Sequence, residues 1–127
     1  MSFKVEKLSG EPIILSTIYP DYNLFEEIAI SDQAAMDLLD AATQPMFMII
    51  DLQVQLDFGQ ITIGADIEAR GSNPLWHHKN MRQVILVTTN KMVPLAAKGM
   101  ASQLYGYVNV EVFETVDEAL RYIRAQE

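Results

Sequence analysis

The 127-residue chain contains no cysteine. Disulfides, thiolate nucleophiles and cysteine-ligated zinc are therefore excluded together, and the fold must be held by packing alone. Cations are scarce too: 9 Lys and Arg stand against 17 Asp and Glu, a formal net charge of −8. With no basic cluster, such a chain repels phosphate backbones and anionic headgroups, so nucleic acid is not an expected partner. Long apolar runs are missing as well. Met46 to Ile50 falls far short of the roughly 20 residues a membrane span needs, and no membrane insertion is expected. The start, Met1 to Lys7, has neither an apolar stretch nor a small-residue cleavage site, so no secretory leader is read there and the expected location is the cytoplasm. Also absent are a Gly-x-Ser-x-Gly elbow, a phosphate-cradling Gly-rich loop and a His-Glu-x-x-His pair, so the chain is not expected to be an enzyme or to carry a cofactor.

What is present is a globular balance, 50% hydrophobic and 20% charged, at a length that fits one domain spanning residues 1–127. Phe3 and Val5 alternate with Lys4 and Glu6, Ser9-Gly10-Glu11-Pro12 supplies a turn, and Ile13 to Ile18 returns as a second strand. Leu24 to Ile30 fits no single pattern, a loop with one helical turn being one reading of it. Ser31 is read as the N-cap of a helix carrying Ala35, Leu38, Leu39 and Ala42 on one face, with Pro45 beyond its end. Met46 to Ile50 is a strand buried on both faces. A second helix is expected from about Asp57 to Ala69, stopped by Gly71, and Gly71 to Asn80 is a loop. Val84 to Thr88 is another strand. A third helix follows through Met92, Leu95, Ala96, Met100 and Leu104 to Gly106, then a strand from Val108 to Phe113. Thr115 and Glu118 form a capping box for a last helix carrying Val116, Ala119, Leu120 and Ile123. The order predicts an α/β fold: a mixed, mostly parallel sheet of about five strands with an N-terminal β-hairpin and about four helices.

Three blocks give this pattern a family likeness. They are the strand ending Asp51-Leu52, the strand ending Val87-Thr88-Thr89-Asn90 with the helix Val93 to Met100, and the strand and capped helix from Val110 to Ile123. Together they resemble the STAS-like superfamily, the fold of anti-sigma-factor antagonists and sulfate-transporter cytoplasmic domains, and within it the bacterial branch called SpoIIAA-like. The resemblance implies a noncatalytic regulatory module that acts through protein partners. In the antagonists the segment after the Asp-Leu-like strand end carries a phosphorylatable serine. Here Gln53 to Gly64 has no serine, and Thr62 is its only hydroxyl, so the resemblance carries the fold and not the switch.

Candidate sites come next. In parallel sheets ligands sit outside the carboxyl ends of the strands, which here carry Asp51 with Gln53 and Thr88, Thr89 and Asn90. One reading is a polar crevice able to hold a ligand or, in an enzyme, a substrate. The favoured reading is that these side chains cap the following helices. Trp76-His77-His78 suggests metal or proton chemistry by residue type, yet no spaced third ligand completes a site, so no metal is expected and a structural loop is favoured. The second helix is apolar on two sides, Phe58, Ile61 and Ala65 on one and Ile63 and Ile67 on the other. That arrangement suits a homodimer contact, a site for a small apolar or amphipathic ligand near Phe58 to Ile67, or equally a helix buried between the sheet and the Leu24 to Ile30 segment. The methionines, among them Met36, Met46, Met48, Met92 and Met100, are read as core filler. Asp32, Asp37, Asp117 and Glu118 are read as solvated helix faces or caps.

Overall fold

The structure, a computed structural model describing residues 2–126, is an α/β fold on one five-stranded sheet. Met1, the first residue of the start read above, and Glu127 lie outside the described residues. Strands β1 (Phe3–Lys7) and β2 (Ile13–Ile18) form the expected antiparallel hairpin, with Val5 opposite Ser16. Gly10 takes φ 74° in its turn, a left-handed conformation that glycine adopts at no steric cost. Strands β3 (Met46–Leu52), β4 (Met81–Val87) and β5 (Val110–Phe113) follow in parallel, giving the order β1-β2-β3-β4-β5. Helices α1 (Leu24–Ala41), α2 (Phe58–Arg70) and α3 (Met92–Met100) are the crossovers, and α4 (Val116–Arg124) closes the chain. Among the described residues no helix is long and apolar enough to cross a membrane.

Alternation along the strands sorts their side chains onto two faces. Ile14, Met48 and Val84 share a row on one face, in one apolar cluster with residues of α1, α2 and α3. Ile13, Phe47, Ile49, Ile85 and Val87 form the other face, closed by Ala119 and Ile123 of α4. Successive crossovers of one hand, moving one way across a sheet, put their helices on one side, which leaves α4 alone on the other. That second face is finished at its edges. The Arg82 guanidinium lies 4.6 Å from the Phe47 ring centre, the Tyr122 hydroxyl donates to Gln83 at 3.0 Å, and Arg124 grips Glu11 with two bonds of 2.8 and 3.1 Å.

Several element boundaries differ from the expectations; β4, expected from Val84 to Thr88, runs from Met81 to Val87. Leu24 to Ile30 is helical, because α1 begins at the Asn23 cap, whose side chain accepts from Glu26 N at 3.2 Å. Leu24, Ile28, Ser31, Ala35 and Leu39 are all buried on its inner face. Ser31 is therefore not an N-cap: it lies within that row, its hydroxyl 2.8 Å from the Tyr22 hydroxyl and donating to the Ile28 carbonyl at 3.2 Å. The third helix ends at Met100, whose carbonyl accepts from Val108 N at 2.8 Å. Gly106 ends a separate 3₁₀ turn, Gln103–Tyr105, at φ 76°, and a Cβ there would stand 2.8 Å from the His77 ring. Finally β5 starts at Val110 rather than Val108, because Tyr107 takes φ 58°, which is incompatible with a strand.

Candidate functional site

Helix α2 makes close approaches to α3 and to the 3₁₀ turn Leu75–His77, and its Ile61 joins the apolar cluster of the sheet face it covers. Its start is fixed by a reciprocal capping box: Gln60 N donates to Asp57 at 2.8 Å, and Asp57 N donates to the Gln60 side chain at 3.0 Å. Small residues face the space beneath, Gly64 and Ala65 on α2 and Ala96 and Ala97 on α3. Beneath these short side chains a cavity of about 110 Å³ remains. Ile18, Ile50 and Leu86 of the sheet, Ile28 of α1 and Ile61 of α2 line it. An apolar cavity of about 150 Å³ is known to stay dry and to accept benzene or xenon, so this one is of a size to hold a body no larger than a small ring.

One part of the lining is polar. Glu68, on the inward row of α2, is 7% exposed and shares the lining with Asp32 of α1. Burial, reinforced by the hydrogen bond and charge of Asp32, pushes the Glu68 carboxyl well above the usual range. Burial also raises Asp32, while its hydrogen bond with Glu68 acts to lower it. Both shifts run the same way, because two neighbouring carboxyls taken out of water cannot both ionise cheaply. Tyr22 is pushed up to about 12, mainly by burial and, more weakly, by the charges of Asp32, Glu68 and Glu27, against a lowering by its Ser31 bond. Two buried polar atoms along this lining have no hydrogen-bond partner, Glu68 Oε1 and Trp76 Nε1. Leaving such an atom unpaired costs about 1–3 kcal/mol, so each marks a place where a bound group would be favoured.

The residues expected from sequence fall into separate places. Asp51, Gln53, Thr88, Thr89 and Asn90 do come together, with Glu114, around an open crevice of about 500 Å³ at the strand ends. Their polar atoms are used locally. Gln53 donates to Asp51 at 3.0 Å; Asn90 donates to the Leu56 carbonyl at 3.1 Å and accepts from Met92 N at 2.9 Å; Asn90 N donates to Thr88 at 3.1 Å. Ile61 and Trp76 line the cavity instead. Phe58 is 58% exposed, and the Thr62 hydroxyl bonds back to the Phe58 carbonyl at 2.9 Å. The histidines point to different partners. His77 Nε2 meets the Tyr105 carbonyl at 2.8 Å, whereas His78 Nε2 meets Asp40 at 2.7 Å and its Nδ1 accepts from Asn80 N. Asn80 also donates to the Leu39 and Ala42 carbonyls, so this loop closes the C-terminal end of α1.

Sequence reasoning missed the polar members of the cavity. Asp32 is not on a solvated face; it is half-buried opposite Glu68. Glu68 carried a usable signal, since it stands seven residues after Ile61 on the same helix row. The chain matches no protein-family model and no curated protein sequence.

Proposed function

We propose that the protein is a noncatalytic binding module, a carrier or sensor whose site is the cavity under α2 and whose ligand is small and mostly apolar. The observation that carries this reading is the pairing of an apolar cavity with two unpartnered polar atoms on its lining, Glu68 Oε1 and Trp76 Nε1. A void alone is lost packing, worth about 24 cal/mol for each Å³. A void that also strands hydrogen-bonding groups is costlier still, and a ligand offsets both costs at once. Binding rather than turnover is favoured because Asn90 of the strand-end crevice is held by the Leu56 carbonyl and Met92 N, while the Ser31 hydroxyl of the cavity lining is held by Tyr22 and the Ile28 carbonyl. The STAS-like assignment remains part of the proposal, supported by the mixed sheet with its antiparallel first strand.

The test is backbone amide NMR during titration with toluene. Shifts are expected at Ile61, Gly64, Leu86 and the Trp76 indole, with Ile123 and Phe47 unmoved, and Ala65→Leu should abolish them. No shifts, or shifts spread over both faces of the sheet, would remove the reading. A second reading, a homodimer through helix surface, is favoured by Phe58 and Leu95, which are 58% and 64% exposed on the adjoining helices α2 and α3. Light scattering across a dilution series decides it: a mass of one chain at all concentrations excludes the dimer.

A further inference from the structure

The cavity reading leaves open what the polar part of the site recognises, and the inference here rests on that reading. Asp32 of α1 and Glu68 of α2 line the same cavity, and each shifts the titration of the other. Other titratable groups near them are Tyr22, before α1, and Glu27, within it. The remaining elements around the cavity contribute uncharged side chains: Ser16, Ile18, Met48 and Ile50 from β2 and β3, Val93 and Ala97 from α3, and Trp76 from the 3₁₀ turn. The ion pairs of the described residues lie elsewhere, with Glu6, Asp66, Asp40 and Glu11 as the acids, so no cationic side chain forms an ion pair with Asp32 or Glu68 among them.

A buried carboxyl pair with no cation of its own, opening onto an apolar space, is incomplete in a specific way. An anionic ligand would be repelled by it. A hydroxyl group would answer Glu68 Oε1 and could accept from the Trp76 indole, but it would leave the charge of the pair where it is. A primary ammonium group has three donors and a positive charge, enough to meet both carboxyls. Hydrogen bonds to ionised groups are roughly twice as strong as neutral ones, which favours the ammonium over the hydroxyl.

We infer that the site takes a small primary amine, its ammonium between Asp32 and Glu68 and its ring-sized apolar body in the cavity under α2. Any proton that the two carboxyls share leaves to solvent as the ammonium enters. Both charge and protons balance. Affinity must therefore rise with pH, by up to about tenfold for each pH unit while the pair holds its proton, for as long as the amine itself stays protonated.

Three ligands of one shape separate the possibilities: toluene, benzyl alcohol and benzylamine. The chain's single tryptophan, Trp76, lines the cavity, so its fluorescence reports occupancy. Benzylamine is expected to bind at least about tenfold tighter than toluene near pH 8, a difference of about 1.4 kcal/mol. Its advantage should shrink towards pH 5, while toluene binding stays level. Calorimetry in buffers of different ionisation enthalpy should show proton release for the amine alone. Glu68→Gln and Asp32→Asn should each remove the amine's advantage and leave toluene binding in place, which also verifies that the variants fold. Equal binding of amine and toluene, or tightest binding of the alcohol, would overturn the amine assignment while the cavity reading stands. If none of the three binds, the cavity reading falls and the amine assignment with it.

Discussion

One sheet is packed by two different means on its two faces. Under α4, Ile13, Phe47, Ile49, Ile85, Ala119 and Ile123 are each fully buried and interlock in one cluster. Under α1, α2 and α3 the same strands present mostly apolar side chains, Ser16 being an exception, yet a partly open cavity remains. The shortage there is not of hydrophobic material. It goes with the small residues on the inner row of α2, Gly64 and Ala65, and those facing them on α3, Ala96 and Ala97. A chain that packs one face solidly with a nine-residue helix has no general difficulty in filling space. The contrast teaches that the cavity is a local feature of α2, and it coincides with the molecule's unusual buried polar groups.

Two neighbours on β3 sharpen the contrast most. Ile49 faces α4 at 0% exposure, whereas Ile50 lines the cavity at 7%. Ile49→Ala should cost about 4–5 kcal/mol and Ile50→Ala about 2–3 kcal/mol, the upper and lower parts of the range for such truncations. Urea unfolding of both variants measures this, and equal losses would break the comparison. Enlarging side chains gives a smaller effect with the same logic. Ala119→Leu, on the solid face, should cost about 1–3 kcal/mol from overpacking. Ala65→Leu, on the cavity lining, should cost clearly less in the same assay, because there is space to take it.

The subtlest difference lies in pH dependence. Glu68 has a folded-state pKa above its unfolded one, so the native chain holds its proton more tightly. The resulting stability is complete below the ordinary carboxyl range and is lost as pH rises through the raised value. Asp32 acts in the same direction. Glu11 and Glu27, both lowered, act in the opposite direction and only at more acidic pH. Stability curves for the wild type and Glu68→Gln should therefore diverge in favour of the variant as pH rises above the ordinary carboxyl range. Parallel curves would show that the carboxyl pair is not strained.

Much of this was legible in the chain. Continuous apolar runs marked β3 and β4, and Thr115 and Glu118 marked α4, whose cap bond from Glu118 N to Thr115 measures 3.2 Å. The strand-end crevice also formed where the parallel order placed it. The start of α1 was hidden because Ser31 interrupts an apolar row with a side chain that usually caps helices, although here it is satisfied inside by Tyr22. The cavity could not be read, because it depends on the distance between α2 and the sheet, which no spacing of residues encodes. Its polar part was half-legible: an acid at Glu68 in line with Ile61 breaks the pattern of an inward row, whereas Asp32 looked like any helix-surface carboxylate.

One face of the sheet carries usable space beneath its helices, and the other is packed. A crystal of the protein pressurised with xenon tests it directly, since apolar cavities of this size take up the gas. Xenon is expected among Ile61, Leu86 and Trp76, with none between Phe47 and Ile123. Xenon on neither face, or beneath α4 as readily as beneath α2, would contradict the account.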